Sequence, residues 1–377
     1  MTSVLHAPAL QSAEVVGAHV RLSWSDGAVS TLLSLWLRDN APELLHTSTQ
    51  HRVVETSSIP ADVHPAECTV GDDGALHITW AHDDHRSVYP AAWLAAHDYS
   101  NGARHHQPAI TLWDSGALDD VPRASWPELL ADNAMRRSFL HGFCAYGVAL
   151  LRDVPTEPGS VLQVAAEFGI VRPTSWGTVF DVVSMIDANS VAYTNLPLVV
   201  HTDEGYRDPA PTVQLQHFLR SDTSGGMATL TDGYKVAADL RAAQPALFHL
   251  LAAHSLQFHF ADATAEHSAS GPVITLGPEG DVRAIRYSNH SARPFLLPPD
   301  VMADYYEAYR TFGTMRESQQ YQLRIDMQAG ELYMVDNRRV MHGRTGFSGG
   351  GARHLQSCYI ERDELVSRLT VLERTMG

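Results

Sequence analysis

Short stretches that alternate apolar and polar residues, such as Val20-Arg21-Leu22-Ser23-Trp24 and Leu76-His77-Ile78-Thr79-Trp80, recur up to about Ser100 between Asp/Gly turn signals. A period of two marks half-buried strands, so residues 1–100 are expected to form a small β-rich N-terminal domain. The polar run from Asn101 to Pro108 reads as the linker out of it. Residues 101–377 mix the two periods. Met135, Phe139 and Leu140 fit one helical face, Gly147 to Leu151 a buried strand, and Val161, Val164 and Phe168 a second helix. Val213 to Leu219 begins as an alternating strand, and Ser224-Gly225-Gly226 marks the turn before another. Val236, Leu240 and Leu247 suit a helix, while Ile274-Thr275-Leu276 and Ile285-Arg286-Tyr287 suggest more sheet. The last strands predicted are Glu331 to Val335 and Leu355 to Ile360, with His342 and Arg353 around one hairpin-like unit. This order suits a mixed α/β chain whose second domain is a double-stranded β-helix, a jelly roll closed over a pocket.

Composition narrows the partners. A chain of 377 residues with 44% hydrophobic content can fill a sizeable core. Its net charge of −16, with no offsetting basic tail, argues against nucleic acid and anionic membranes. No apolar run of about 20 residues occurs, and Met1 to His6 lacks the basic start of a signal peptide. Cys68, Cys144 and Cys358 are few and far apart, which suits a reducing compartment. The expectation is a cytoplasmic protein acting on a small molecule, with a homodimer compatible with this reading.

The candidate chemistry lies in His201-Thr202-Asp203 and in His342, which follows Asp336-Asn337-Arg338-Arg339-Val340-Met341. Two imidazoles and one carboxylate can hold one face of an Fe(II) ion and leave the opposite positions open. Residues two apart on a strand share a face, so His201 and Asp203 can share an ion. With 21 histidines in the chain, the same spacing also arises as a plain surface pair. Arg353, eleven residues past His342, offers a guanidinium for the far carboxylate of a dicarboxylate cosubstrate, or is an ordinary surface cation.

Taken together, His201-Thr202-Asp203, Gly225-Gly226-x-x-Thr229-x-x-Asp232-Gly233, His342-Gly343-Arg344 and Arg353-x-Leu355-Gln356-x-Cys358-Tyr359 resemble the Fe(II)/2-oxoglutarate-dependent oxygenases of the TauD family. Leu35 to Asn40 extends the resemblance into the N-terminal module and toward the γ-butyrobetaine and trimethyllysine hydroxylase branch. The resemblance implies His201, Asp203 and His342 as iron ligands, Arg353 and Thr229 as holders of 2-oxoglutarate, and O₂ as the second cosubstrate. The branch often carries a structural zinc site in its N-terminal module. Here no cysteine follows Asn40, and only His46 and His85 remain as candidate ligands.

The same resemblance places an aromatic cage for a quaternary ammonium group at Trp176, Phe180, Tyr193 and Tyr359, with Glu204 and Tyr206 beside it. An anionic tail would fall to Asn195, Arg286, Ser288, Asn289, His290 and Arg293. The basic character of that segment, together with the missing cysteines, shifts the resemblance toward bacterial dioxygenases of 2-(trimethylamino)ethylphosphonate. The expected reaction is hydroxylation at the phosphorus-bearing carbon to the (R)-1-hydroxy product, with succinate and CO₂. The alternatives are hydroxylation of γ-butyrobetaine to carnitine and a non-catalytic quaternary-ammonium binding module. Trimethyllysine is disfavoured because its extra groups need a longer pocket.

Overall fold

The computed structural model describes residues 8–101, 109–183, 195–348 and 352–376. The chain divides into two compact units, Met1–Gln107 and Pro108–Gly377. In the first, two antiparallel three-stranded sheets, Leu10–Val16, His19–Trp24 and Val29–Leu33, then Pro65–Val70, Leu76–Trp80 and Arg86–Tyr89, form a shared core. Leu22, Trp24, Leu76, Ile78 and Trp80 fill it from the alternate positions that the sequence pattern marks. His85 pairs with Glu43 at 2.8 Å, and the His46 ring bonds the Ser48 and Thr49 hydroxyls, so the two histidines have separate partners.

Two sheets organise the second unit. One has four strands in the order Leu198–His201, Val340–Arg344, Ala228–Asp232 and Gln322–Ile325. The other has six, Arg123–Ser125, Val148–Arg152, Leu332–Asp336, Val213–Ser221, Arg353–Ile360 and Phe180–Val183. All neighbours are antiparallel except the first pair of the six. Phe218, Tyr333, Val335 and Leu355 of the larger sheet meet Ala228, Leu230, Leu323 and Ile325 of the smaller in one cluster, so the sheets lie face to face.

The closed jelly roll expected from the strand order is not what forms. Both sheets are open, and among the described residues no hydrogen-bonded ladder joins one to the other. The reason lies at the corners. Leu332–Asp336 belongs to the larger sheet and Val340–Arg344, four residues on, to the smaller, so the chain changes sheet at the turn between them. His342 and Arg353 consequently stand on facing sheets and not within one hairpin.

Helices cover the outer faces. Asn133–Tyr146 and Ser160–Phe168 present Phe139, Leu140, Val161, Val164 and Phe168 to the core as their spacing predicts. The helical stretch through Val236 and Leu247 is two helices, Gly233–Ala243 and Pro245–Ala253. Pro245 disfavours helical backbone at Gln244 (φ −143°), and the second helix starts there. Pro299–Glu317 and Arg362–Met376 are further helices that the apolar pattern left unmarked. No helix among the described residues is long and apolar enough to cross a membrane.

Candidate metal centre and cavity

A cavity of about 380 Å³ opens between the inner faces of the two sheets. His201 and His342 enter from the smaller sheet as directly paired cross-strand residues. The register slips between Leu198 and His201, a bulge that brings His201 opposite His342 and lays their rings 4.9 Å apart. Gly343 is what lets the strands approach. A Cβ there would run into the Leu198 carbonyl oxygen and stand 2.9 Å from the Val200 nitrogen. Gly343→Ala is therefore expected to cost on the order of 1–3 kcal/mol of stability and to weaken metal binding, read as lower thermal unfolding and weaker Co(II) binding in a titration.

Asp203 completes the group. The ligand atoms of His201, Asp203 and His342 all lie within 4.8 Å of one another, the only such group of His, Cys or carboxylate side chains among the described residues. Asp203 does not share a strand with His201, because the strand ends at His201. A turn carries Asp203 instead, fixed by Asn337, whose Oδ1 accepts from the Asp203 amide at 2.7 Å and whose Nδ2 donates to its carbonyl at 3.0 Å. The carboxylate stands 3.2 Å from His201 Nε2 and 3.4 Å from His342 Nε2. Burial opposes its charge, but His342 and His201 outweigh that and hold its carboxyl well below the usual carboxylate range. His201 Nδ1 lies 2.9 Å from the Val199 carbonyl oxygen, which fixes the ring and leaves Nε2 to face Asp203. Two imidazole nitrogens and an ionised oxygen on one side of an open cavity fit a divalent iron.

Beyond the triad, Arg353 and Arg344 both line the cavity, and their guanidinium carbons lie 5.5 Å and 5.0 Å from the Phe347 ring centre. Arg353 Nε has no hydrogen-bond partner among the described residues. Burial and Arg353 together draw Arg344 down to about 10. A buried and a half-buried cation on one ring make a receptor for an anion. Thr229 is buried but does not line the cavity: it pairs with Gly343, whereas Leu230 pairs with His342 and Ala228 with Arg344, so Thr229 faces away from both.

Of the residues assigned to substrate, Trp176, Phe180, Glu204, Tyr206, Ser288, His290 and Tyr359 line the cavity. Asn195, Arg286, Asn289 and Arg293 do not. Arg286 is drawn away beneath Gly271 and Phe258, and Asn195, Asn289 and Arg293 are exposed elsewhere. Tyr193 lies outside the described residues. Tyr206 stacks on Phe260 at 5.1 Å between ring centres, and Trp176 meets the same ring at a tilt, 5.4 Å away. Glu204, in the left-handed region at φ +49°, already pairs with Arg207 at 2.6 Å. Burial and the neighbouring Asp203 nevertheless push it up to about 7. Phe260, Gln214, Asn337 and Arg344 are site residues that the sequence reading did not single out. Gln214 and Gln216 were the visible signal, as polar residues alternating with the buried Val213 and Leu215.

A two-histidine, one-carboxylate centre beside paired guanidinium groups defines an Fe(II)/2-oxoglutarate-dependent dioxygenase that uses O₂. The chain belongs to the taurine catabolism dioxygenase TauD, TfdA family, which matches residues 85–359, and its residues 12–95 match the gamma-butyrobetaine hydroxylase-like N-terminal family. It is 37% identical to a gamma-butyrobetaine dioxygenase of Pseudomonas sp. strain AK-1, over 97% of this chain and 96% of the relative. It is also 27% identical to a trimethyllysine dioxygenase of Meyerozyma guilliermondii, over 94% of each chain. Identity to the human gamma-butyrobetaine dioxygenase is 27%, over 97% of each chain.

Proposed function

We propose that the chain hydroxylates γ-butyrobetaine to carnitine. The observation that carries this reading is the 37% identity, sustained over nearly both full lengths, to a bacterial gamma-butyrobetaine dioxygenase. The cavity supports it chemically. Trp176, Phe260 and Tyr206 offer ring faces to a trimethylammonium group, which has no N–H to donate. Glu204, neutralised by Arg207, adds little net charge there, so the rings carry most of the recognition. Ser288 and Ser291 on the cavity wall can donate to the substrate carboxylate. Arg353, with Arg344 beside it, receives the distal carboxylate of 2-oxoglutarate. With Fe(II) held by the triad, O₂ would be the oxidant, one of its atoms entering the substrate as the hydroxyl and the other leaving in succinate as 2-oxoglutarate loses CO₂. The surrounding side chains position the substrate carbon and restrict water.

Arg286 and Arg293, which favoured a phosphonate, are not among the lining residues, and this tips the proposal toward the carboxylate. A side-by-side assay of γ-butyrobetaine, 2-(trimethylamino)ethylphosphonate and trimethyllysine tests it, with hydroxylated product measured along with succinate. The highest kcat/KM is expected for γ-butyrobetaine. A higher value for the phosphonate replaces the proposed substrate, and no product from any of the three leaves a binding module.

A further inference from the structure

Asp203 has one oxygen crowded by donors and one without a donor beyond the triad. Gln214 Nε2 donates to Oδ2 at 2.6 Å, and the Tyr359 hydroxyl donates to the same Oδ2 at 2.7 Å. No donor outside the histidines reaches Oδ1 among the described residues. We propose that Gln214 and Tyr359 are positioning residues that clamp Oδ2 and so make Asp203 a one-oxygen ligand, reserving Oδ1 for the metal. Both come from the inner face of the larger sheet, where Gln214 and Tyr359 are cross-strand partners. Gln214 is buried between the apolar Val213 and Leu215, and its Oε1 has no hydrogen-bond partner among the described residues. The stability of the sheet does not call for an amide there; the carboxylate does.

The clamp does not depend on which substrate is hydroxylated. Tyr359 also lines the cavity, 5.7 Å from Phe180 between ring centres, so one ring serves both the substrate space and the metal ligand.

The test uses the metal-free full chain titrated with Co(II), read by its visible absorption. Tyr359→Phe keeps the ring and removes the hydroxyl, and Gln214→Leu keeps the volume and removes the amide. Each is expected to weaken Co(II) binding by roughly 10–100-fold, as removal of outer-shell partners does, and to lower the molar absorption as the freed Oδ2 joins the coordination. Val182→Ala, which alters the same wall at a position paired with Leu355 and not with a clamp residue, should leave the Co(II) affinity and spectrum unchanged. Circular dichroism confirms that each variant is folded before titration. Co(II) affinity and spectrum that stay unchanged in both folded clamp variants overturn the proposal, as does an equal loss in Val182→Ala.

Discussion

Asp203→Ala is expected to abolish both the hydroxylated product and the succinate, with every substrate offered. His201 and His342 alone leave the ion without its anionic ligand, and the alanine also strands the Gln214 amide and the Tyr359 hydroxyl that converge on the lost oxygen. The metal-free variant should nevertheless remain folded, unfolding at a moderately lower temperature than the metal-free parent. The histidines outweigh the desolvation of the carboxylate, so its loss removes net stabilisation and leaves two donors without their acceptor. Succinate formation and thermal unfolding, measured on one preparation, separate the two effects. Retained turnover would reject His201, Asp203 and His342 as the metal centre, whereas lost turnover with a collapsed fold would point to a structural role.

Arg353→Met is expected to raise the 2-oxoglutarate concentration needed for half-maximal turnover by at least about thirtyfold, since truncating one partner of a buried charge pair costs roughly 2–5 kcal/mol. The KM for the hydroxylated substrate should move far less. Arg353→Lys should recover part of the loss, because an ammonium restores the charge without the two-pronged donor geometry. Arg344 on the same ring limits the damage, so the effect is on affinity more than on the existence of a site. A KM for 2-oxoglutarate that does not change would remove Arg353 from that role.

The metal residues were legible because the chemistry dictates their type and because His201-Thr202-Asp203 is local in sequence. The physical route to that placement was different, since Asn337 and a bulge do what simple strand alternation was expected to do. Periodicity located several of the strands and the helices at Asn133–Tyr146 and Ser160–Phe168, yet it missed others, Val340–Arg344 among them, and could not assign strands to sheets. That assignment depends on corners such as Asp336 to Val340, where apolar residues continue on both sides and only the turn decides. Thr229 illustrates the sharpest limit: one position along a strand reverses the face, and nothing in the local pattern distinguishes it from Ala228. Phe260 belongs to Ser255–Ala261, a hairpin strand remote from every motif, and enters the cavity only through tertiary packing. Arg286 shows the converse, as a cation in a suggestive run whose side chain is taken up by Gly271 and Phe258.

The open sheets give the ion a mechanical role. His201 and His342 belong to one sheet, while the third ligand is gripped by Gln214 and Tyr359 of the other, across a gap that no backbone ladder bridges among the described residues. A metal bound there is a rivet between two plates, and its loss leaves side-chain contacts and the chain's own corners to hold them in alignment.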